Sequence, residues 1–147
     1  MDAYIPASYI PNEYQKLDIY KRIAGIETEE EMDDMIEELI DRFGDIPRKV
    51  QKLLAIANLK AMAHRLYITA VEQKGEEYQF TMFEHARIRT EKIPKLLELY
   101  KEELHFKMDT PPYFLYHKKN RNRKGKEEDP IEVVKKVLID MKTLLES

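Results

Sequence analysis

Carboxylates are the most concentrated chemistry in this chain. Glu29, Glu30, Asp33, Asp34, Glu37, Glu38 and Asp41 crowd one short stretch, with Arg42 at its end. Paired carboxylates perform acid–base work when one member is desolvated, so that its pKa rises and it holds a proton. Here they fall on the outer side of a helix, where water prevents that tuning, so the cluster reads as a recognition surface. Other chemistries find no better footing. The histidines, His64, His85, His105 and His117, include no pair at helical ligand spacing and lack the Glu of a zinc-peptidase pattern. Ser8 and Ser147 stand near the ends of the sequence, poor places for a nucleophile that must be held against its base. The four glycines, at 25, 44, 75 and 125, are too dispersed to cradle a phosphate. There is no cysteine, which excludes disulfides and thiolate chemistry and fits a reducing cytoplasm. No enzyme, cofactor or metal site is expected in this chain.

The helix that carries the carboxylates can be read from cap to cap. Thr28 stands at the N-cap with Glu31 three residues on, a capping box. Met32, Met35, Ile36, Leu39, Ile40 and Phe43 then recur at the three-and-four spacing of one buried stripe, and Gly44 ends the helix as a left-handed terminator. An earlier helix is expected from Pro11 and Asn12 to about Ala24, with Leu17, Tyr20, Ile23 and Ala24 facing inward. A third starts at Pro47 and runs to about Arg65, with apolar residues on more than one face, the pattern of a central helix.

After Leu66 the period changes to two. Ile68 to Lys74 and Glu77 to Phe83 read as a hairpin turning at residues 74–76, with Tyr78, Phe80 and Met82 on one face. A short helix follows over Ile93 to Tyr100. Leu104, Phe106 and Met108 alternate as a third strand, and Pro111 and Pro112 break the chain before a fourth, Tyr113 to Lys118. Asp129 and Pro130 open a closing helix with an inner stripe of Ile131, Val134, Leu138, Met141 and Leu145. The expected fold is α+β: three helices, a small, mostly antiparallel four-stranded sheet with one intervening helix, and a closing helix. At 147 residues one domain is expected, with residues 1–8 as the end of an interdomain strand or linker, so that the chain begins in mid-protein. No segment approaches the length needed to cross a bilayer, so a soluble cytoplasmic protein with no membrane partner is expected.

Charge is polarised along the sequence. Residues 1–47 carry 13 acids and 4 bases, net −9, and residues 48–147 carry 15 acids and 21 bases, net +6, which sum to the formal −3. Alternating solvated faces explain this blandly; an acidic surface that docks on arginines explains it more sharply. A basic run, Lys118, Lys119, Arg121, Arg123, Lys124 and Lys126, follows Tyr113, Phe114 and Tyr116 and precedes Glu127, Glu128 and Asp129. It reads either as a solvated loop or as a salt-sensitive contact for nucleic acid.

The runs Tyr9-Ile10-Pro11, Tyr20-Lys21-Arg22-Ile23 and Glu38-Leu39-Ile40-Asp41-Arg42-Phe43-Gly44, with Pro47 and Leu53-Leu54 behind them, resemble the C-terminal domain of bacterial transcription-repair coupling factor, Mfd. From about Ile68 onward the likeness is only in the order of elements. The resemblance implies a parent DNA translocase that uses ATP and Mg in a motor region outside this chain, displaces stalled RNA polymerase, and recruits the excision-repair subunit UvrA. It further implies that this domain docks on an N-terminal UvrB-like module and masks the surface that binds UvrA. The family's contacts map by motif onto Glu38, Asp41 and Arg42, which lie at spacings of three and four on one helix. Two other readings stay open: a nucleic-acid-binding accessory domain acting through the basic loop, and a structural cap on an adjoining motor lobe.

Overall fold

The computed structural model describes residues 3–118 and 128–146. Contacts divide the chain into two compact units, Met1–Met62 and Ala63–Ser147.

The first unit is helical. Asn12 caps α1 (Glu13–Ala24) by accepting a hydrogen bond from the Gln15 amide at 3.0 Å. Thr28 and Glu31 form the expected capping box of α2 (Glu29–Phe43): Thr28 Oγ1 accepts from the Glu31 amide at 3.1 Å, and Glu31 Oε1 accepts from the Thr28 amide at 3.2 Å. Gly44, after α2, has φ +89 and ψ −163, so it is not the left-handed terminator expected. It occupies the extended mirror region that is essentially reserved for glycine. The third helix, α3 (Arg48–Arg65), buries Val50, Leu54, Ala57 and Ala61 along one line and, near its end, Met62 and Ala63 on other sides, as its apolar residues on more than one face led one to expect.

Three inward assignments change in this unit. In α1 the buried residues are Ile19 and Ile23, while Leu17 is 54% exposed and Ala24 is also exposed. Leu17 stands two residues from Ile19, about 200° around the helix, so both cannot face one core. In α2, Met32, Met35 and Leu39 are buried but Ile40 is 50% exposed, since it lies one step beyond the buried line.

Of the stretch read as the end of a strand or a linker, residues 3–8 are described and carry no strand. Ile5 and Ile10 belong to the core of the helical unit. The Ile5 amide donates to the Tyr20 hydroxyl at 2.7 Å. The Tyr9 hydroxyl lies 3.1 Å from the Leu39 carbonyl and 2.9 Å from that of Gly44, so its single proton is shared between two acceptors at the end of α2.

The second unit holds β1 (Ile68–Lys74), β2 (Glu77–Met82), α4 (Ile93–Leu99), β3 (Leu104–Lys107), β4 (Tyr113–His117) and α5 (Pro130–Met141). The sheet is ordered β1-β2-β4-β3 with every neighbour antiparallel. Lys74 pairs with Glu77 across a two-residue turn in which Gly75 takes φ +62, a conformation that L side chains rarely adopt. Directly paired residues share a face, giving one row of Val71, Phe80, Phe114 and Phe106 and another of Gln73, Tyr78, Tyr116 and Leu104. Phe80 and Phe114 are fully buried. Met108, expected in β3, lies beyond it and is 86% exposed.

Asp129 caps α5 by accepting from the Ile131 amide at 3.0 Å. The chain then tightens into a 3-10 turn, Lys142–Leu145. That turn advances each residue by about 120° instead of 100°, so the inward position after Met141 passes to Leu144. Leu144 is fully buried, and Leu145, expected on the inner stripe, is 41% exposed. Among the described residues no helix is long and apolar enough to cross a membrane.

Candidate functional site on the second helix

The three residues singled out on α2 take unequal roles. Glu38 is the centre of an ion-pair network: Arg22 of α1 grips it with both terminal nitrogens, Nη1 to Oε2 at 2.8 Å and Nη2 to Oε1 at 2.5 Å. Arg42, one turn along α2, adds Nη1 to Oε2 at 2.7 Å. A fork-to-carboxylate pair of this kind fixes orientation as well as adding attraction. These bonds, Arg22 first and Arg42 second, hold the Glu38 carboxyl at about 2, well below its usual value. Arg22 in turn is pushed above its usual value, chiefly by Glu38, and lies 3.7 Å from Asp18.

Asp41 is exposed and enters no ion pair or hydrogen bond among the described residues. Arg42 spends one of its five N–H donors on Glu38, and its guanidinium stacks 4.9 Å above the Phe43 ring. Chemically, Glu38 is therefore committed to two arginines and orients Arg42, while Asp41 is exposed and the Arg42 side chain is 36% exposed. Spacing within α2 indicated the Glu38–Arg42 pair but not Arg22, because a contact between separate helices has no periodic signature. Its one trace is that Arg22 flanks the buried Ile23 on α1.

The basic run is represented here by Lys118, whose ammonium lies 2.6 Å from Glu128. Lys119, Arg121, Arg123, Lys124 and Lys126 lie outside the described residues. Of the aromatics just before them, Phe114 and Tyr116 are buried in the sheet face and are not available to stack on bases, and Tyr113 is half-buried. All four histidines are exposed, and no buried charged or polar residue occurs among the described residues.

A model of the TRCF domain family matches residues 1–93, more than half of the chain. The chain belongs to the TRCF domain family. The transcription-repair-coupling factor of Staphylococcus haemolyticus is 42% identical over 82 residues, which cover 56% of this chain and 7% of that protein. The Bacillus subtilis transcription-repair-coupling factor is 37% identical over 86 residues, 58% of this chain and 7% of that protein. This TRCF-domain chain thus spans less than a tenth of the length of the curated relatives it matches. A crystal structure of the C-terminal domain of transcription-repair coupling factor superimposes with a TM-score of 0.75 at 27% identity, covering 99% of this chain and 88% of that one. The likeness in fold therefore reaches past residue 93, through the sheet and closing helix, where the order of elements was the only sequence signal.

Proposed function

We propose that this TRCF domain is a non-catalytic clamp of a transcription-coupled repair translocase. It docks on the N-terminal UvrB-like module of its parent protein and masks the surface that binds UvrA. ATP, Mg, DNA and RNA polymerase are then handled by the rest of that protein. The observation that most supports the reading is on α2: Asp41, exposed and without a partner among the described residues, beside an Arg42 whose guanidinium is held by Glu38.

Energetics suit a contact that must open. Holding a two-state clamp at 99 closed to 1 open takes about 2.7 kcal/mol, half of what swings it fully across. Exposed ion pairs give about 0 to 1 kcal/mol each, so pre-oriented arginine contacts are needed to reach that figure. An intramolecular partner raises the effective concentration, which lets a weak interface close.

The test is titration of this chain with the separately produced UvrB-like module at two salt concentrations, with UvrA as competitor. Salt-sensitive binding displaced by UvrA is the expected result. Absence of binding, or binding that UvrA leaves in place, would sink the clamp.

A further inference from the structure

The flank of α2 opposite Glu38 carries a feature that the clamp does not use. Residues two apart on a helix point about 200° away from each other, so Ile36 and Ile40 face away from Glu38 and Arg42. Glu29, Asp33, Ile36 and Ile40 run down this side of α2 at spacings of four, three and four. Across from them Gln51, Leu54, Ala55 and Asn58 repeat at three, one and three, one side of α3. Between the two helices lies an open groove of about 670 Å³, closed at one end by Asp45 and Ile46.

Its floor and lip are apolar. Met32 and Leu54 form buried ground, Ile36 and Ile46 are half-buried, and Ile40 stands 50% exposed at the edge. The small side chain of Ala55 leaves the depression open on the α3 side. The rim has one sign: Glu29, Asp33 and Asp45 line it, no base does, and none of the three carboxylates enters an ion pair among the described residues. Gln51, the polar residue at the Ile46 end, already donates to the Ile46 carbonyl at 3.0 Å.

We infer that this α2–α3 groove is a second docking surface, independent of the clamp face, for an amphipathic helix of a partner protein that carries aliphatic anchors flanked by lysine or arginine. Helix-in-groove recognition reads anchors at i, i+3 or i+4, and i+7, the spacing that a trough between two helices accepts. The apolar floor supplies burial, and the unpaired carboxylates select basic flanks and repel phosphate backbones.

The probe is a synthetic helix of about 18 residues with leucine at i, i+4 and i+7 and lysine on its flanks, titrated into this chain. Its counterpart with glutamate in place of lysine is the control. The lysine peptide is expected to bind at least about tenfold tighter than the glutamate peptide, with chemical shifts moving at the Ile36 and Ile40 methyl groups. Ile40→Lys is expected to weaken binding by about tenfold or more, and Ala55→Met, which fills the trough without emptying the core, by a similar factor. Glu30→Gln with Glu37→Gln removes the same kind of charge from the outer face and is expected to change affinity by less than about twofold. Circular dichroism of each variant establishes that it is folded. Equal effects of the outer-face and groove variants, or unchanged affinity with Ala55→Met, would overturn the proposal by reducing binding to general attraction. Concentration-dependent self-association abolished by Ile40→Lys would overturn it in favour of a second copy. None of these readouts uses the UvrB-like module, so this inference and the clamp fail separately.

Discussion

The Arg22–Glu38–Arg42 network of the helical unit is made wholly of charges and lies at the surface, with side chains 30 to 41% exposed. In the sheet unit, Asp140 accepts instead from the hydroxyl of Tyr100, a residue only 7% exposed. Tyr100 also meets Tyr116 edge-on, with ring centroids 5.6 Å apart, and Lys136 caps both the Tyr100 ring and Asp140. Burial first, and the bond to Asp140 second, push the Tyr100 phenol upward, so it stays a donor at any physiological pH. A buried donor committed to one acceptor holds structure in place, whereas exposed charges in water can exchange partners at little cost. The sheet unit uses its polar cluster to fix α5, and the helical unit keeps its own available.

Tyr100→Ala offers the strongest way to break this contrast. Loss of a buried aromatic and of its hydrogen bond is expected to destabilise the sheet unit by about 3 to 5 kcal/mol. Tyr100→Phe, which keeps the ring, is expected to cost about 1.5 to 3 kcal/mol. Urea denaturation followed by circular dichroism measures both, and values as small as those for surface pairs would erase the distinction. Next in size, Asp41→Arg should lower affinity for the UvrB-like module at least about tenfold while stability stays within about 0.5 kcal/mol. Calorimetric titration and thermal melting separate the two effects.

Acid sharpens the comparison further. The folded Glu38 carboxyl titrates at about 2 against an ordinary 4.5, so the unfolded chain takes up the proton first as pH falls. Its contribution is complete above about pH 5, declines through the interval between, and is gone below about 2. Solvent screening of a partly exposed network limits that contribution to the order of 1 kcal/mol. Stability measured from pH 6 down to 2 should show that extra decline in the native chain and lack it in Glu38→Gln. The smallest expected effect lies at Lys101, which follows α4 with φ +56 although it is not glycine. Lys101→Gly relieves that conformation but loosens the unfolded chain, for a net gain of about 0.5 kcal/mol in thermal unfolding.

Local chemistry was legible in the sequence where a signal was completed within a few residues. The Thr28–Glu31 box, the helix starts at Asn12 and Asp129 and the turn at Gly75 all depend on signals that close over three residues or fewer. Phase was legible only while geometry stayed regular: the 3-10 turn after Met141 moved burial from Leu145 to Leu144. A stripe was drawn too wide at Ile40, one step beside the core line, and Leu17 was placed inward although it points almost opposite to Ile19. At the candidate site, Glu38 and Arg42 were visible as an i,i+4 pair, but the bidentate grip of Arg22 depends on how α1 and α2 lie together. The groove was hidden for the same reason, because its two walls come from different helices.

The Tyr9 hydroxyl has a consequence for the order in which the helical unit is made. Its acceptors, the carbonyls of Leu39 and Gly44, lie 30 and 35 residues further along the chain. At about 5 to 20 residues per second, a ribosome delivers them roughly 2 to 7 seconds after Tyr9. Helices form in about a microsecond, so α1 samples its helix long before Tyr9 has anything to hold, but at 12 residues it is marginal until α2 packs on it. Ile5 and Ile10, buried at 2% and 0% in the finished unit, share their core with Met32, Met35 and Leu39 of α2, which are made equally late. The first residues of this unit to be synthesised are thus among the last to settle.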